Sequence, residues 1–113
     1  MTVKDLKDFG ADTEEGMARC MGNEEFYLKM IDIAMKDENL EKLGAELKEN
    51  DLDAAFETAH ALKGVYGNLS LTPIFTPLSE MTEKLRNRTD MDYTEIYEKA
   101  LKKRDELKAL WEA

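Results

Sequence analysis

Apolar residues recur every three to four positions along most of this chain, which is the spacing of amphipathic α-helices. No stretch alternates apolar and polar residues in the way that predicts a half-buried strand. The periodic segments cover residues 12–21, 26–36, 40–50, 51–69, 77–88 and 92 onward. The pattern therefore predicts an all-α protein.

The ends of these segments carry helix-start signals. Residues 12–15 (Asp-Thr-Glu-Glu) and 92–95 (Asp-Tyr-Thr-Glu) match a capping box, in which two side chains and two backbone amides bond reciprocally. Thr72-Pro73 and Thr76-Pro77 each resemble an N-cap residue followed by proline at the first helical position. We therefore expect this helix to begin in two steps, with its regular part starting at Pro77.

The connections between the predicted helices are short, which is typical of antiparallel neighbours in a bundle. The chain has 113 residues, a length that suits one domain, and 42% of them are apolar, which is enough for one compact core. We find no internal repeat, low-complexity segment or linker. The sequence thus predicts a single domain over residues 1–113.

The charge balance restricts the partners of this domain. Asp and Glu total 25 against 16 Lys and Arg, for a net charge of −9. Nucleic-acid backbones and anionic membranes are held by positive charge, so we expect neither as a partner. No apolar run approaches the roughly 20 residues that span a bilayer, and the first residues lack the apolar stretch of a signal peptide. With Cys20 as its single cysteine, the chain can form no internal disulfide, and we expect a cytoplasmic protein.

The chain has one histidine, His60, in the middle of the predicted 51–69 helix. At about 100° per residue, the apolar residues of this helix form one stripe centred near Ala55, Ala59 and Tyr66. His60 lies roughly 120° from that centre. The helix is therefore predicted to point His60 away from the core.

Two glycines, Gly64 and Gly67, share the helix face of His60. A glycine inside a helix costs about 1 kcal/mol relative to alanine, so their presence needs a reason. They could keep the surface beside His60 clear for an approaching protein. They could equally allow close packing of another helix, and Gly67 could begin the helix end. The sequence leaves these alternatives open.

An exposed imidazole suits phosphoryl chemistry. Unperturbed imidazole has a pKa of about 6.5, so a good share of it is neutral and nucleophilic at cellular pH. It can attack a phosphoryl group and later surrender it. Phosphoryl transfer depends mainly on positioning and on neutralising the phosphoryl oxygens. Lys63, three residues after His60, places an ammonium on adjacent helix surface.

The run Ala59-His60-Ala61-Leu62-Lys63-Gly64 resembles the phosphorylation motif of histidine phosphotransfer (HPt) domains. The similarity extends upstream through residues 52–58 and downstream through residues 67–69, and the length and helix order also match. The resemblance therefore covers essentially the whole chain. It implies an antiparallel four-helix bundle with one or two additional short N-terminal helices.

The resemblance also implies the residue roles. His60 would be the phosphoacceptor, with Nε2 as the attacking atom, and Lys63 would stabilise the phosphoryl group. The partner would be a response-regulator receiver domain or a hybrid histidine kinase in two-component phosphorelay signalling. The phosphorylatable aspartate and its Mg²⁺ would belong to that partner, and the chain itself would need no cofactor or metal. The protein would act as a monomeric phosphoryl carrier and not as an enzyme.

Partner approach and docking would involve Phe56, at the margin of the apolar stripe, together with Gly64, Gly67 and Arg86. Some HPt domains place a glutamine on the following helix near the active histidine, where ungapped counting gives Thr82 in this chain. Arg86, one turn further on, would contribute positive charge. The missing glutamine puts a contact from that helix in doubt.

Other functions fit parts of the sequence. Glu57-x-x-His60 matches one unit of a di-iron bundle site, but such sites need two units and this chain has one histidine. A non-catalytic helical adaptor, in which His60 is incidental, is the stronger alternative. It predicts that His60→Gln leaves partner affinity and signalling unchanged. An autonomous kinase is excluded by the lack of a phosphate-cradling glycine loop and by the short chain.

Overall fold

The computed structural model describes residues 1–112, and these residues contain helices but no strand. The helices are α1 (Val3–Phe9), α2 (Thr13–Arg19), α3 (Glu24–Met35), α4 (Asn39–Lys48), α5 (Leu52–Asn68), α6 (Thr72–Arg86) and α7 (Thr94–Glu112). The predicted all-α fold is confirmed.

Helices α4 to α7 form a bundle in which chain neighbours pack side by side, α4 on α5, α5 on α6 and α6 on α7. Three-residue connections at 49–51 and 69–71 allow only antiparallel neighbours there. Helix α7 also contacts α4, where the Tyr97 hydroxyl donates to the Leu40 carbonyl at 2.9 Å. This contact joins the last helix of the bundle to the first. The short helices α1 and α2 match the additional N-terminal helices that the resemblance implies, and the 12-residue α3 packs against α7.

Side chains of the predicted type cap several helices. The Asp12 carboxylate accepts from the Glu15 amide at 3.2 Å, as expected at the start of α2. The Glu15 carboxylate, however, does not complete a capping box: it accepts from the Ser70 hydroxyl at 3.2 Å. At α7, the Asp92 carboxylate accepts from the Thr94 amide at 2.9 Å. This bond joins residues two positions apart and takes the place of the predicted capping box over residues 92–95.

Helix α6 begins at Thr72 and runs without a second start through Pro77. The expectation that its regular part begins at Pro77 is therefore wrong. Proline removes one backbone bond from a helix interior, which disfavours a continuous helix. Here the buried stripe of α6 runs through Pro77, from Ile74 to Leu85. Burial of that stripe in the core outweighs the lost bond.

Candidate functional site

Helix α5 presents His60 to solvent. The helix starts where the Asp51 carboxylate accepts from the Ala54 amide at 3.1 Å. Its inner face, including Ala59 and Tyr66, is buried, whereas His60 is exposed. The predicted outward orientation of His60 is thus confirmed. Burial raises the pKa of Tyr66 to about 12, so its phenol remains protonated at cellular pH.

A shallow, open depression lies beside the imidazole. It is lined by His60, Lys63, Gly64, Gly67, Asn68 and Phe75. All of these except Phe75 come from α5, and Phe75 comes from α6. The structure therefore brings together four residues that the sequence placed at the site, namely His60, Lys63 and the two glycines. Their functional roles stay predictions.

The two glycines on this face have different surroundings. A Cβ atom added at Gly64 would meet nothing within 4 Å outside its own helix backbone. A Cβ atom added at Gly67 would lie 3.0 Å from Cε2 of Phe75. Gly67 thus permits the close approach of α6, which is the packing alternative. Gly64 leaves the surface next to Lys63 bare, which fits the clearance alternative.

This difference predicts different stabilities for matched alanine variants. Gly64→Ala should stabilise the fold by about 0.5–1 kcal/mol, because alanine is the better helix former and the space is empty. Gly67→Ala should be less stable than Gly64→Ala by about 1 kcal/mol, because the Phe75 ring must move. Urea denaturation followed by circular dichroism measures both. Equal stabilities would mean that Phe75 yields freely and that Gly67 is not required for packing.

An aromatic ring and two guanidinium groups flank the other side of His60. The ring centroids of Phe56 and His60 are 5.8 Å apart, with 32° between the ring planes. Arg86 and Arg88 place their guanidinium carbons 5.2 Å and 5.1 Å from the Phe56 ring centroid. Arg88 is held by the Asp53 carboxylate, which accepts from its Nε at 2.8 Å. Phe56 and Arg86 are thus neighbours of each other, and Phe56 contacts His60.

Thr82 does not reach this surface. It is fully buried, and its hydroxyl donates to the Leu78 carbonyl at 2.7 Å within α6. The position suggested by ungapped counting therefore supplies no polar contact to His60. The doubt about a contact from this helix therefore holds for Thr82 but is wrong for the helix as a whole, because Phe75 of α6 lines the depression beside His60. Helix α6 contributes Phe75 and Arg86 instead.

Three residues near His60 escaped the sequence analysis. Phe75 and Asn68 line the depression, and Arg88 packs on Phe56. Asn68 carries a weak signal, since it lies two turns after His60 and thus near its face. The sequence gives no signal for Phe75 and Arg88, because their positions depend on how the start and the end of α6 pack against α5.

Two further properties bear on the alternatives. Among residues 1–112, no group of three or more His, Cys, Asp or Glu side chains is placed to hold a metal ion. Glu57 and His60 therefore have no third ligand of these types nearby. Within the same part of the chain, no helix combines the length and apolar character needed to cross a membrane.

Comparison with known proteins agrees with the motif around His60. The family model for the Hpt domain matches residues 33–113, which is more than two thirds of the chain and includes all of α4 to α7. No curated protein and no solved structure matches the chain significantly. Hpt domains carry phosphoryl groups in phosphorelay signalling and are not kinases. The chain belongs to the Hpt domain family.

Proposed function

We propose that His60 accepts a phosphoryl group from, and returns it to, receiver domains of two-component signalling proteins. The observation that carries this proposal is the position of the chain's single histidine: it is exposed in the middle of α5, beside an open depression. Gly64 has no side chain, and the space where a Cβ atom would lie is empty, so a second protein can approach the imidazole from that side. That access is what a phosphoryl carrier requires.

The bond changes of the transfer involve His60 and the partner's aspartyl phosphate. As the Nε2 lone pair of His60 forms a bond to phosphorus, the bond between phosphorus and the partner's aspartyl oxygen breaks, and the carboxylate leaves. The proton on Nδ1 can pass to water because the ring is exposed. The reverse step attaches the phosphoryl group to an aspartate again. Phosphate can therefore flow in either direction.

Lys63 is the residue best placed to neutralise the phosphoryl oxygens. It lines the same depression as His60, about 4.5 Å further along the helix axis. Among residues 1–112, no carboxylate forms a salt bridge with it. Its ammonium is free to turn toward negative charge that develops at His60. Electrostatic stabilisation of this kind dominates phosphoryl transfer.

Docking would use the surroundings of the imidazole. Gly64 leaves room for the partner's active-site loops, and Gly67 lets the Phe75 ring pack against α5 at the depression. On the opposite side, Phe56 offers a partly buried ring flanked by Arg86 and Arg88. Each guanidinium is also paired with a carboxylate, Arg86 with Glu83 at 3.5 Å and Arg88 with Asp53 at 2.8 Å, so this edge carries ion pairs and not uncompensated positive charge. An apolar ring with such a charged rim suits docking of another protein.

The remaining parts of the reaction belong to the partner. We propose that the chain holds no cofactor, and that the phosphorylatable aspartate and its Mg²⁺ are on the receiver domain. A phosphorylatable carboxylate is not needed here, because the carrier only stores the group on nitrogen between two transfers. The chain would thus be an intermediate with no substrate pocket of its own.

The proposal is tested by mixing the protein with receiver domains phosphorylated beforehand by a small-molecule phosphodonor. We expect a labelled chain whose phosphate is labile in acid and stable in alkali, because it is bonded to imidazole nitrogen. Peptide mapping should place the label in the fragment that contains His60. A panel of receivers that leaves the chain unlabelled, or a label that resists acid, would contradict the proposal.

A further inference from the structure

The imidazole of His60 has no hydrogen-bonding partner that fixes its orientation. Among residues 1–112, neither of its ring nitrogens donates to or accepts from another group. Reactive histidines are often oriented by a carboxylate or carbonyl that accepts from one ring nitrogen. An exposed side chain without such a partner moves between rotamers. Any preference of the His60 ring for one orientation must therefore come from packing.

Phe56 supplies the packing contact to this imidazole. It lies four residues before His60, one turn away on the same side of α5. Side chains of a helix lean toward its N-terminus, so the His60 ring leans toward Phe56 and away from Gly64. The two ring centroids are 5.8 Å apart, which is within the range of about 4.5–7 Å over which aromatic pairs attract each other. On the other side, a Cβ atom at Gly64 would meet nothing within 4 Å, so no side chain there limits the imidazole.

The Phe56 ring is itself held in place. The guanidinium carbons of Arg86 and Arg88 lie 5.2 Å and 5.1 Å from its centroid, distances at which a cation is attracted to an aromatic face. Arg88 is anchored on both helices: its Nε donates to the Asp53 carboxylate of α5 at 2.8 Å, and its Nη1 donates to the Leu85 carbonyl of α6 at 2.5 Å. The ring that contacts His60 is thus fixed between α5 and the end of α6.

The backbone at Arg88 fits a role for its side chain. Arg88 follows Asn87, the C-cap of α6, and has a φ of 51°. This left-handed conformation after a helix is usually adopted by glycine, because a Cβ atom disfavours it. The contacts of the Arg88 guanidinium with Asp53, Leu85 and Phe56 account for an arginine at a position where the backbone favours glycine.

Building on the proposed function, we infer that Phe56 is a positioning residue that holds the His60 imidazole in the orientation from which Nε2 attacks the phosphoryl group. The attacking lone pair must be in line with the phosphorus–oxygen bond that breaks. A ring that samples several orientations is out of line for part of the time, so the rate at saturation falls with the fraction of aligned rings. Phe56 acts here only through His60, in addition to its part in docking.

The orientation of the ring is measured by NMR without any partner. The chain contains one histidine, so the imidazole and Hβ signals of His60 are assigned unambiguously. We expect the three-bond couplings between Hα and the two Hβ protons of His60 to show one dominant rotamer in the wild type. In Phe56→Leu the couplings should move toward averaged values, because leucine has no ring face to offer the imidazole. Phe56→Tyr keeps the ring and should retain the wild-type couplings.

The effect on transfer is measured by titrating each variant with the receiver that labels the wild-type chain fastest. We expect the rate at saturation to be about threefold lower in Phe56→Leu, which corresponds to about 0.7 kcal/mol and lies within the range that aromatic pairs supply. The half-maximal receiver concentration should not change, because leucine preserves an apolar contact for the partner. Phe56→Tyr should transfer at the wild-type rate.

An Arg88→Gly variant tests whether the ring is held from outside. Glycine adopts a φ of 51° readily, so the fold should be retained while one guanidinium is lost from Phe56. We expect partly averaged His60 couplings and a saturating rate about twofold lower, since Arg86 remains over the ring. Lys84→Ala is the matched control: it removes an exposed cation from the last turn of the same helix and should behave as the wild type.

Several results would contradict the positioning role. Wild-type couplings in a folded Phe56→Leu variant would overturn it, because another contact would then orient the ring. A higher half-maximal concentration with an unchanged saturating rate would mean that Phe56 acts in docking alone. A lower rate that Phe56→Tyr shares would show that the aromatic contact is not the cause. If no receiver labels the wild-type chain, the proposed function fails and the role in transfer fails with it, whereas the couplings still show whether Phe56 holds the ring.

Discussion

Replacing His60 by glutamine is expected to abolish phosphorylation of the chain by receiver domains. Glutamine can form hydrogen bonds, but it lacks the basic ring nitrogen that bonds to phosphorus. No other imidazole can take over, because the chain contains one histidine. Loss of a nucleophile typically lowers rates by a factor on the order of 10³ or more, so labelling should fall below detection. Transfer of radiolabelled phosphate from a phosphorylated receiver measures the effect.

The loss should occur without damage to the fold. His60 is exposed, and surface substitutions usually change the free energy of unfolding by less than about 0.5 kcal/mol. Glu57→Gln is the matched control, since Glu57 is exposed one turn earlier on the same helix and should transfer normally. If His60→Gln is labelled as fast as the wild type, phosphate goes to another residue and the phosphoacceptor assignment is wrong. If neither protein is labelled while both bind the receiver equally well, the adaptor is favoured.

The helix that carries His60 could be predicted because its determinants lie within one segment. The N-cap at Asp51 and the buried stripe through Ala59 and Tyr66 follow from local spacing alone. A helical wheel then fixes the outward direction of His60 and places Lys63 on neighbouring surface. These inferences need no knowledge of the other helices. They account for the placement of His60 and Lys63 on one accessible surface.

The rest of the site depends on contacts between distant segments. Phe75 reaches the depression, and Arg88 reaches Phe56, only because α6 packs along α5 in a particular register. Helical periodicity gives each helix a buried face, but it does not fix the register of two helices. For the same reason the sequence leaves the role of Gly67 open, because it does not show that Phe75 packs against this glycine. Ungapped counting along α6 likewise points to Thr82 as a neighbour of His60, whereas Thr82 is buried.

The error at α6 has the same origin. Local rules treat Pro77 as a helix start because proline lacks the amide that a helix interior uses. Whether a helix tolerates that loss depends on how much apolar surface it buries elsewhere. In α6 the buried residues on both sides of Pro77 include Ile74 and Leu78, so one stripe continues through the proline. Whether α6 continues through Pro77 is thus decided by burial in the tertiary structure, which the Thr76-Pro77 dipeptide does not reveal.

The largest expected effect on stability concerns an ion pair between α4 and α7 in which the cation is buried and the carboxylate is half exposed. Arg104 is only 2% exposed, and its guanidinium donates to both carboxylate oxygens of Glu41 and to Asp105. Glu41→Met would leave the buried cation with one carboxylate, and we expect a loss of about 3 kcal/mol in the free energy of unfolding. Arg104→Met should lose less, because the freed Glu41 is half exposed and can be hydrated.

The double variant Glu41→Met/Arg104→Met should be more stable than Glu41→Met alone. Two methionines fill similar volume without a buried charge, and such replacements are often neutral. We therefore expect the double variant to lie within about 1 kcal/mol of the wild type. Urea denaturation of all four proteins completes the double-mutant cycle. Strictly additive losses would show that the two side chains do not stabilise each other.

The same pair predicts how stability changes with acid. Hydrogen bonds from Arg104 lower the pKa of Glu41 below its ordinary value of 4.5. A group whose pKa is lower in the folded state stabilises the fold above its unfolded pKa, and this contribution is lost as the pH falls through the folded pKa. The wild type should therefore lose more stability below pH 4.5 than the double methionine variant does.

Other carboxyl groups do not confuse this comparison. Asp5, Asp32 and Asp92 also have lowered pKa values because each carboxylate accepts hydrogen bonds, but all three remain in both proteins. The difference between the wild type and the double methionine variant thus reports the contacts of Arg104 with Glu41 and with its neighbour Asp105. Urea denaturation at a series of pH values from about 7 to about 3 measures that difference. A difference that stays constant over this range would mean that the Glu41 carboxylate gains nothing from Arg104 in the folded protein.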